Sequence, residues 1–245
     1  MGQLYDEDFY DLQRVRSRTS AQVMVPIFQE LLEPESVLDV GCGIGAWSAT
    51  WIAAGVSDLT GVDGDYVDRS ALVIPPAQFR SWDLTRPLDL GRRFDLVQCL
   101  EVAEHLPANS AKTLVESLVR HSDLVVFSAA VPRQGGTHHV NEQWPSYWVS
   151  LFASVGFQVF DPFRARVWDD NRVEYWYRQN CILFAAKDHP ITQRLDPPSG
   201  PIDVVHPYLF ESWASAAAGV VKLRWAVSQT RLGTTLRSIR NRFGA

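Results

Sequence analysis

The sequence has no apolar run approaching the roughly 18 residues that cross a membrane, and no basic, apolar leader with small residues at its end. It has only three cysteines in 245 residues, and their spacing matches no metal motif. These absences argue against a membrane span, a secretory signal, a disulfide framework and a cysteine-bound metal, and they predict a cytoplasmic protein. The length and the 46% hydrophobic content predict one main α/β domain with extensions.

Acidic residues are missing altogether from the end of the chain. Residues 212–245 hold no Asp or Glu but six cations, which are Lys222, Arg224, Arg231, Arg237, Arg240 and Arg242. Set against a net charge of −5, these six charges leave about −11 on residues 1–211. An acidic body disfavours extended contact with a nucleic-acid backbone. We expect residues 189–245 to form a linker and a basic helical extension that could contact a membrane surface or a protein.

A glycine turn separates a strand pattern from a helix pattern within residues 36–47. The apolar strand residues Val37, Leu38 and Val40 are followed by glycines at positions 41, 43 and 45. Glycines here let a nucleotide-like ligand approach the backbone and the N–H groups of the next helix. Dinucleotide-binding enzymes instead carry Gly-x-Gly-x-x-Gly. The Asp-x-Gly-x-Gly-x-Gly pattern resembles motif I of the class I S-adenosylmethionine-dependent methyltransferases.

The ends of the later strands fit the same resemblance. Asp63 ends the second strand, where a carboxylate can accept hydrogen bonds from ribose hydroxyls. Asp83 follows the third strand, where the family places an acid that faces the adenine amine, although a turn cap is the alternative. Glu101-Val-Ala-Glu-His-Leu follows the fourth strand and looks like the motif IV region of many O-methyltransferases. The resemblance assigns cofactor contacts to Asp39, Gly41, Cys42, Gly43, Gly45, Trp47, Asp63, Gly64, Asp83, Leu84, Leu100 and Glu101.

The resemblance implies an α/β, Rossmann-like fold with a seven-stranded, mostly parallel sheet, an antiparallel last strand and helices on both faces. We expect the methyltransferase domain over residues 36–188, preceded by a helical cap over residues 1–35. The apolar spacing predicts two helical pieces in this cap, interrupted at residues 17–20. The cap packs on the sheet edge or acts as a lid over the cofactor, with Tyr5 and Tyr10 as the lid candidates.

A candidate acceptor site lies after the fourth and fifth strands. If residues 101–106 begin a helix, Glu101, Glu104 and His105 share one face. With His138 or His139 from the polar loop at residues 132–145, this set resembles the Glu-x-x-Glu-His plus distant His metal site of the small-RNA 2′-O-methyltransferases. The resemblance implies a magnesium or manganese ion held by Glu101, Glu104, His105 and His139. The alternative is a metal-free site; the catalytic candidates are His105, His138, His139 and Glu142.

The expected reaction is O-methylation of a sugar, glycan or natural-product hydroxyl. The loop at residues 135–148 and the later Trp-Tyr-Arg-Gln-Asn look like bacterial methyltransferases found among glycan and natural-product enzymes. The aromatic segment at residues 163–178 either stacks on a sugar or forms a buried wall. The other hypotheses are a small phenol or quinone precursor, an RNA ribose, and a scaffold subunit that binds S-adenosylmethionine without catalysis.

Overall fold

The computed structural model describes the backbone of residues 7–229 and the side chains of residues 16–218. The strands are β1 Ser36–Val40, β2 Asp58–Asp63, β3 Phe79–Ser81, β4 Leu96–Leu100, β5 Leu124–Ser128, β6 Phe157–Phe160 and β7 Ile182–Ala186. The α-helices are α1 Glu7–Leu32, α2 Ala46–Ala53, α3 Ala111–His121, α4 Pro145–Ser154, α5 Arg164–Val167, α6 Tyr175–Asn180 and α7 Pro207–Gln229.

The seven strands form one sheet in the order β3-β2-β1-β4-β5-β7-β6. Strand β7 is antiparallel to both of its neighbours, β5 and β6, and the other pairs are parallel. The predicted seven-stranded, Rossmann-like sheet with an antiparallel last strand is therefore confirmed. The strand order reverses between β1 and β4, and in open α/β sheets such a reversal leaves a ligand crevice at the carboxyl ends of the strands.

The strand side chains alternate between two hydrophobic clusters, one on each face of the sheet. Along β1, Val37 belongs to the first cluster and Leu38 to the second. Helices α1 and α2 cover the first face together with residues 163–177, and α3 and α4 cover the second. Parallel sheets are covered on both faces in this way, because both rows of their side chains are apolar.

Part of the aromatic segment after β6 forms a buried wall, which is one of its two predicted roles, whereas Trp168, Tyr175 and Trp176 are half-buried. Phe163, Val167 and Tyr177 are all buried in the first cluster. Arg164 is buried with them, and its guanidinium donates to the carboxylate of Asp161 and to two backbone carbonyls. The side chains in this part of the segment are therefore used to cover the sheet and cannot also stack on a sugar.

The N-terminal cap is one helix, so the predicted interruption at residues 17–20 is wrong. The Ser20 hydroxyl donates to the Arg16 carbonyl at 2.9 Å, which accommodates a polar side chain inside the helix. From Ala21 onward, buried residues at helical spacing, including Met24 and Phe28, pack in the first cluster against Trp51 of α2. Packing on the sheet layer is the role that the described part of α1 has. The lid candidates Tyr5 and the Tyr10 side chain lie outside the described residues.

The chain divides into two compact units, Met1–Val204 and Val205–Ala245. Helix α7 belongs to the second unit. The cations from Lys222 onward lie outside the residues whose side chains are described, so contact with a membrane surface or a protein through them stays a prediction. Within residues 7–229, no helix is both long and apolar enough to cross a membrane.

Candidate active site

The glycine turn follows β1 at the carboxyl edge of the sheet. Its three glycines have φ angles of 79° at Gly41, 55° at Gly43 and 92° at Gly45. A Cβ at Gly41 would lie 2.2 Å from the Val102 side chain, and one at Gly45 would lie 2.9 Å from Ile74, so packing requires glycine at both positions. A Cβ at Gly43 would meet nothing within 4 Å. Gly43 therefore borders open space, where the resemblance places the cofactor.

Asp63, at the end of β2, holds this turn closed. Its Oδ2 accepts a hydrogen bond from the Gly43 N–H at 2.6 Å, and its Oδ1 accepts from the Gly64 N–H at 2.6 Å and from the Tyr66 hydroxyl. The Tyr66 hydroxyl thus donates to a carboxylate oxygen that could otherwise accept a hydrogen bond from a ribose hydroxyl. The ribose contact of Asp63 and Gly64 stays a prediction.

Asp39, Cys42 and Trp47 support the turn from inside the protein. The buried Asp39 accepts a hydrogen bond from the Ser48 hydroxyl on α2 at 2.5 Å, and its burial raises its pKa to about 6. Burial also raises the pKa of the Cys42 thiol, which makes the thiol unreactive. The Trp47 indole donates to the Tyr177 hydroxyl at 3.3 Å. These contacts fix where the turn lies on the sheet.

Asp39→Asn is expected to stabilise the cofactor-free protein. Because the folded pKa of about 6 exceeds the ordinary value of 3.8, the folded state binds this proton more tightly than the unfolded chain does. Ionisation of Asp39 therefore costs stability as the pH rises through this interval, by about 3 kcal/mol at pH 8. In urea unfolding, the free energy of unfolding of Asp39→Asn should exceed that of wild type by about this amount at pH 8 and by less than half of it at pH 4.5. An equal gain at both pH values would contradict the raised pKa.

Asp83 and Leu84 lie in the turn after β3. The Asp83 Oδ1 accepts hydrogen bonds from the Thr85 N–H at 3.0 Å and the Thr85 hydroxyl at 2.6 Å, and these bonds lower the pKa of Asp83. The turn cap that was the alternative role for Asp83 is thus present. Leu84 is buried in the second cluster. Contact of either residue with adenine stays a prediction.

The helix over residues 101–106, which was the condition for a face shared by Glu101, Glu104 and His105, does not form. Glu101, directly after Leu100 of β4, has a φ of 54°, which breaks the helical path, and its N–H donates to the Ser128 carbonyl at 2.9 Å. Within residues 101–106 there is only a single 3₁₀ turn, over Ala103–His105. Glu101, Glu104 and His105 therefore do not share a helical face. Positive φ is uncommon for a residue such as glutamate and often marks a functional position.

The Glu101 carboxylate faces two amide side chains that sequence reasoning gave no role. Its Oε2 accepts from Gln134 at 3.0 Å, and its Oε1 accepts from Asn180 at 3.2 Å. Burial raises the pKa of Glu101, and these hydrogen bonds work against that rise. Asn180 lies in the Trp-Tyr-Arg-Gln-Asn stretch, so its only signal in the sequence was the resemblance. Glu101 is thereby turned toward the amides.

Glu104, His105 and His139 come together in a cluster whose ligand atoms all lie within 4.8 Å of one another, and Glu101 is next to it, because its carboxylate interacts with that of Glu104. Glu104 is buried, and neither of its carboxylate oxygens has a hydrogen-bond partner. Burial and the charge of Glu101 raise the pKa of Glu104, whereas burial and His139 lower the pKa of His105. Three of the four predicted metal ligands therefore meet here, and Glu101 is not among them.

Glu142 orients His139. The His139 Nδ1 lies 3.0 Å from Glu142 Oε1, so Nδ1 carries the proton and the Nε2 lone pair is left for a ligand or an acceptor proton. The Arg133 N–H at 2.6 Å and the Gly135 N–H at 3.0 Å also donate to this carboxylate. His138 is exposed, with a φ of 60°, and lies outside the metal-type cluster. The geometry thus selects His139 from the two adjacent histidines.

The fold and this edge of the sheet define a class of protein. A glycine turn after β1, an acid at the end of β2 and a polar cluster after β4 lie together where the strand order reverses. This is the arrangement of the class I S-adenosylmethionine-dependent methyltransferases.

The comparisons with known proteins agree with this class. Residues 9–168 match the model of a methyltransferase domain family, so the chain belongs to that family and is an S-adenosylmethionine-dependent methyltransferase. No curated protein matches the sequence.

Three similar solved structures share the fold. Magnesium protoporphyrin IX methyltransferase ChlM from Synechocystis PCC 6803, with bound SAH, is 18% identical, with a TM-score of 0.52 over 76% of this chain and 90% of that chain. The sugar N-methyltransferase KedS8 from Streptoalloteichus sp ATCC 53650 is 15% identical, with a TM-score of 0.57 over 77% and 96% of the two chains. The amino pentose methyltransferase CalS10 from Micromonospora echinaspora is 15% identical, with a TM-score of 0.53 over 76% and 100%.

Proposed function

We propose that this methyltransferase acts on a hydroxyl of a sugar, glycan or natural product, with a divalent cation held beside the acceptor. The observation that carries the proposal is the cluster of Glu104, His105 and His139 at the carboxyl edge of the sheet. It lies one strand from the glycine turn, because β1 and β4 are neighbours. The acceptor would thus meet the methyl group in the crevice where the two strands end.

The residues of the cluster fit a cation. Glu104 is buried with both carboxylate oxygens unpartnered, and a buried carboxylate without a partner is costly unless a positive charge or a proton compensates it. Burial lowers the pKa of His105, which keeps its imidazole neutral and able to ligate. Glu104, His105 and His139 would hold magnesium or manganese, and the ion would lower the pKa of the acceptor hydroxyl.

A second candidate mechanism uses His139 as a metal-free general base. The contact between its Nδ1 and Glu142 at 3.0 Å favours this candidate, because it fixes the tautomer whose Nε2 can accept a proton. The methyl donor is already electrophilic, so the chain needs only to hold the two reactants in line and to take the acceptor proton. Both candidates place the acceptor hydroxyl beside His139.

Two features favour a sugar acceptor. Trp144, at the end of the His139 loop, leaves 37% of its surface exposed, and a partly exposed indole face can pack on a pyranose ring. Two of the structural relatives are named as a sugar N-methyltransferase and an amino pentose methyltransferase. We choose a hydroxyl rather than an amine because an ammonium can give its proton to an ordinary base such as an imidazole, whereas a hydroxyl is far less acidic and gains more from a cation that lowers its pKa.

The acceptor class can be tested with ¹³C-methyl-labelled S-adenosylmethionine. A panel would hold a neutral sugar nucleotide, the corresponding amino sugar, a catechol and a short RNA. We expect label on an oxygen of the neutral sugar, which NMR distinguishes from an N-methyl group by its carbon shift. Label only on the amine, the catechol or the RNA would overturn the sugar hydroxyl. Cofactor binding without transfer to any member would favour the non-catalytic scaffold.

A further inference from the structure

Gln134 lies between two carboxylates of the site, those of Glu101 and Glu142. Its side-chain Nε2 donates to Glu101 Oε2 at 3.0 Å. Its amide oxygen accepts from Asn180 at 2.9 Å, from Gln179 at 3.2 Å and from the Val131 N–H at 3.3 Å. With so many polar partners satisfied at once, the amide has one orientation available to it.

The network around this amide is inside the protein and joins three strand ends. Gln179 and Asn180 are almost completely buried, and the Gln179 amide also donates to Asn180 Oδ1 at 2.9 Å. Glu101 follows β4, Gln134 follows β5, and Asn180 precedes β7. A fully connected buried network of this kind rigidifies what it joins, because each lost hydrogen bond would leave a buried polar group unsatisfied.

The backbone on either side of Gln134 serves the other carboxylate. The N–H groups of Arg133 and Gly135 both donate to Glu142, which in turn contacts His139 Nδ1. Arg133 and Gly135 have positive φ angles of 69° and 75°, so the backbone on both sides of Gln134 is in the left-handed region. The side chain of Gln134 thus contacts Glu101, and the backbone N–H groups of its two neighbours contact Glu142, which orients His139.

We infer that Gln134 is a positioning residue that fixes the acceptor loop, and through Glu142 the His139 ring, to the Glu101 side of the crevice. The relevance of this inference to methyl transfer rests on the proposed function, in which the His139 imidazole acts on the acceptor hydroxyl. A loop with glycines at positions 135 and 136 has many accessible conformations, and anchoring its first turn at a buried network removes most of them. Without that anchor, the Glu142 contacts lose the geometry that selects one imidazole tautomer.

Ring ¹⁵N NMR of His139 in the full-length, cofactor-free protein with chelator tests this inference. Wild type should show the tautomer with the proton on Nδ1. Gln134→Met, which keeps the length of the side chain but no amide, should shift the His139 signals toward a mixture of tautomers. Hydrogen exchange at the Gly135 amide should also become at least tenfold faster. Gln134→Asn, one methylene shorter but equally polar, should do the same if the Met variant does not fold.

The matched control is Gln143→Met in the same loop, whose amide bonds to Asn141 and not to Glu101. It should leave both readouts at their wild-type values. A folded Gln134 variant with the wild-type His139 spectrum and Gly135 exchange would overturn the inference, as would equal changes in the Gln143 control. Neither readout needs cofactor, cation or acceptor. A wild type that transfers no methyl group would therefore overturn the proposed function and leave this result standing.

Discussion

Gly136→Ala should lower the rate of methyl transfer by about a hundredfold, the size expected when a general base or its equivalent is misplaced. A Cβ at Gly136 would lie 2.2 Å from Nε2 of His139, which is the nitrogen that faces the acceptor in both candidate mechanisms. The ring must therefore move or the loop must open. Because the glycine turn and Asp63 are not touched by this change, the affinity for S-adenosylmethionine should stay within about threefold, as measured by titration calorimetry.

Gly135→Ala is the matched control for this prediction. Gly135 has a positive φ of 75° and Gly136 one of 149°, so an alanine bears backbone strain at both positions, but the Cβ at Gly135 would meet nothing within 4 Å. Its N–H to Glu142 is kept in the alanine variant. The control should lose no more than about fivefold in rate, the equivalent of roughly 1 kcal/mol. Equal losses in the two variants would mean that strain in the loop, and not displacement of His139, sets the effect.

Gly43→Ala should weaken binding of S-adenosylmethionine by at least thirtyfold, or about 2 kcal/mol. The space beside Gly43 holds no protein atom within 4 Å of the added Cβ, so the methyl group clashes with no part of the protein and costs only the strain of the positive φ. The resemblance places the cofactor against this bare backbone. The methyl group would then occupy volume that the cofactor needs.

Gly91→Ala separates this effect from backbone strain. Its φ of 66° is close to the 55° of Gly43, and its Cβ would likewise meet nothing within 4 Å. Gly91 precedes β4 at the amino edge of the sheet, opposite the glycine turn. Both variants should lose a similar amount of stability, about 1 kcal/mol, and only Gly43→Ala should lose cofactor affinity. Full affinity in Gly43→Ala would place the cofactor elsewhere.

The sheet and the turn could be predicted from the sequence because their signals are local. Val37, Leu38 and Val40 run directly into the three glycines, and Asp63 and Glu101 come directly after apolar strands. Such patterns fix the order of strands and helices, and topology then brings the strand ends to one edge. The same local logic failed at residues 17–20, because the hydroxyl of Ser20 bonds back to Arg16 and lets the helix continue.

The arrangement within the site could not be predicted, because it depends on contacts between distant residues. A helix over residues 101–106 was reasonable by spacing, but the left-handed backbone of Glu101 prevents it. The partners of Glu101 lie 33 and 79 residues away, at Gln134 and Asn180, and no pattern in the sequence pairs them. The choice between His138 and His139 likewise depends on Glu142 folding back onto the loop.

The central claim is that Glu104, His105 and His139 form the acceptor-side centre of a cation-assisted methyltransferase. Its most direct measurement is manganese titration of the chelator-treated protein by calorimetry, in wild type and in His105→Ala. We expect one manganese ion per chain in wild type and at least a tenfold loss of affinity in the variant. Binding should also weaken at low pH as His105 protonates, below the ordinary histidine pKa of about 6.5 because burial lowers the pKa of His105. No manganese binding in wild type, or binding that His105→Ala leaves unchanged, would contradict the claim and leave His139 with Glu142 as a metal-free base.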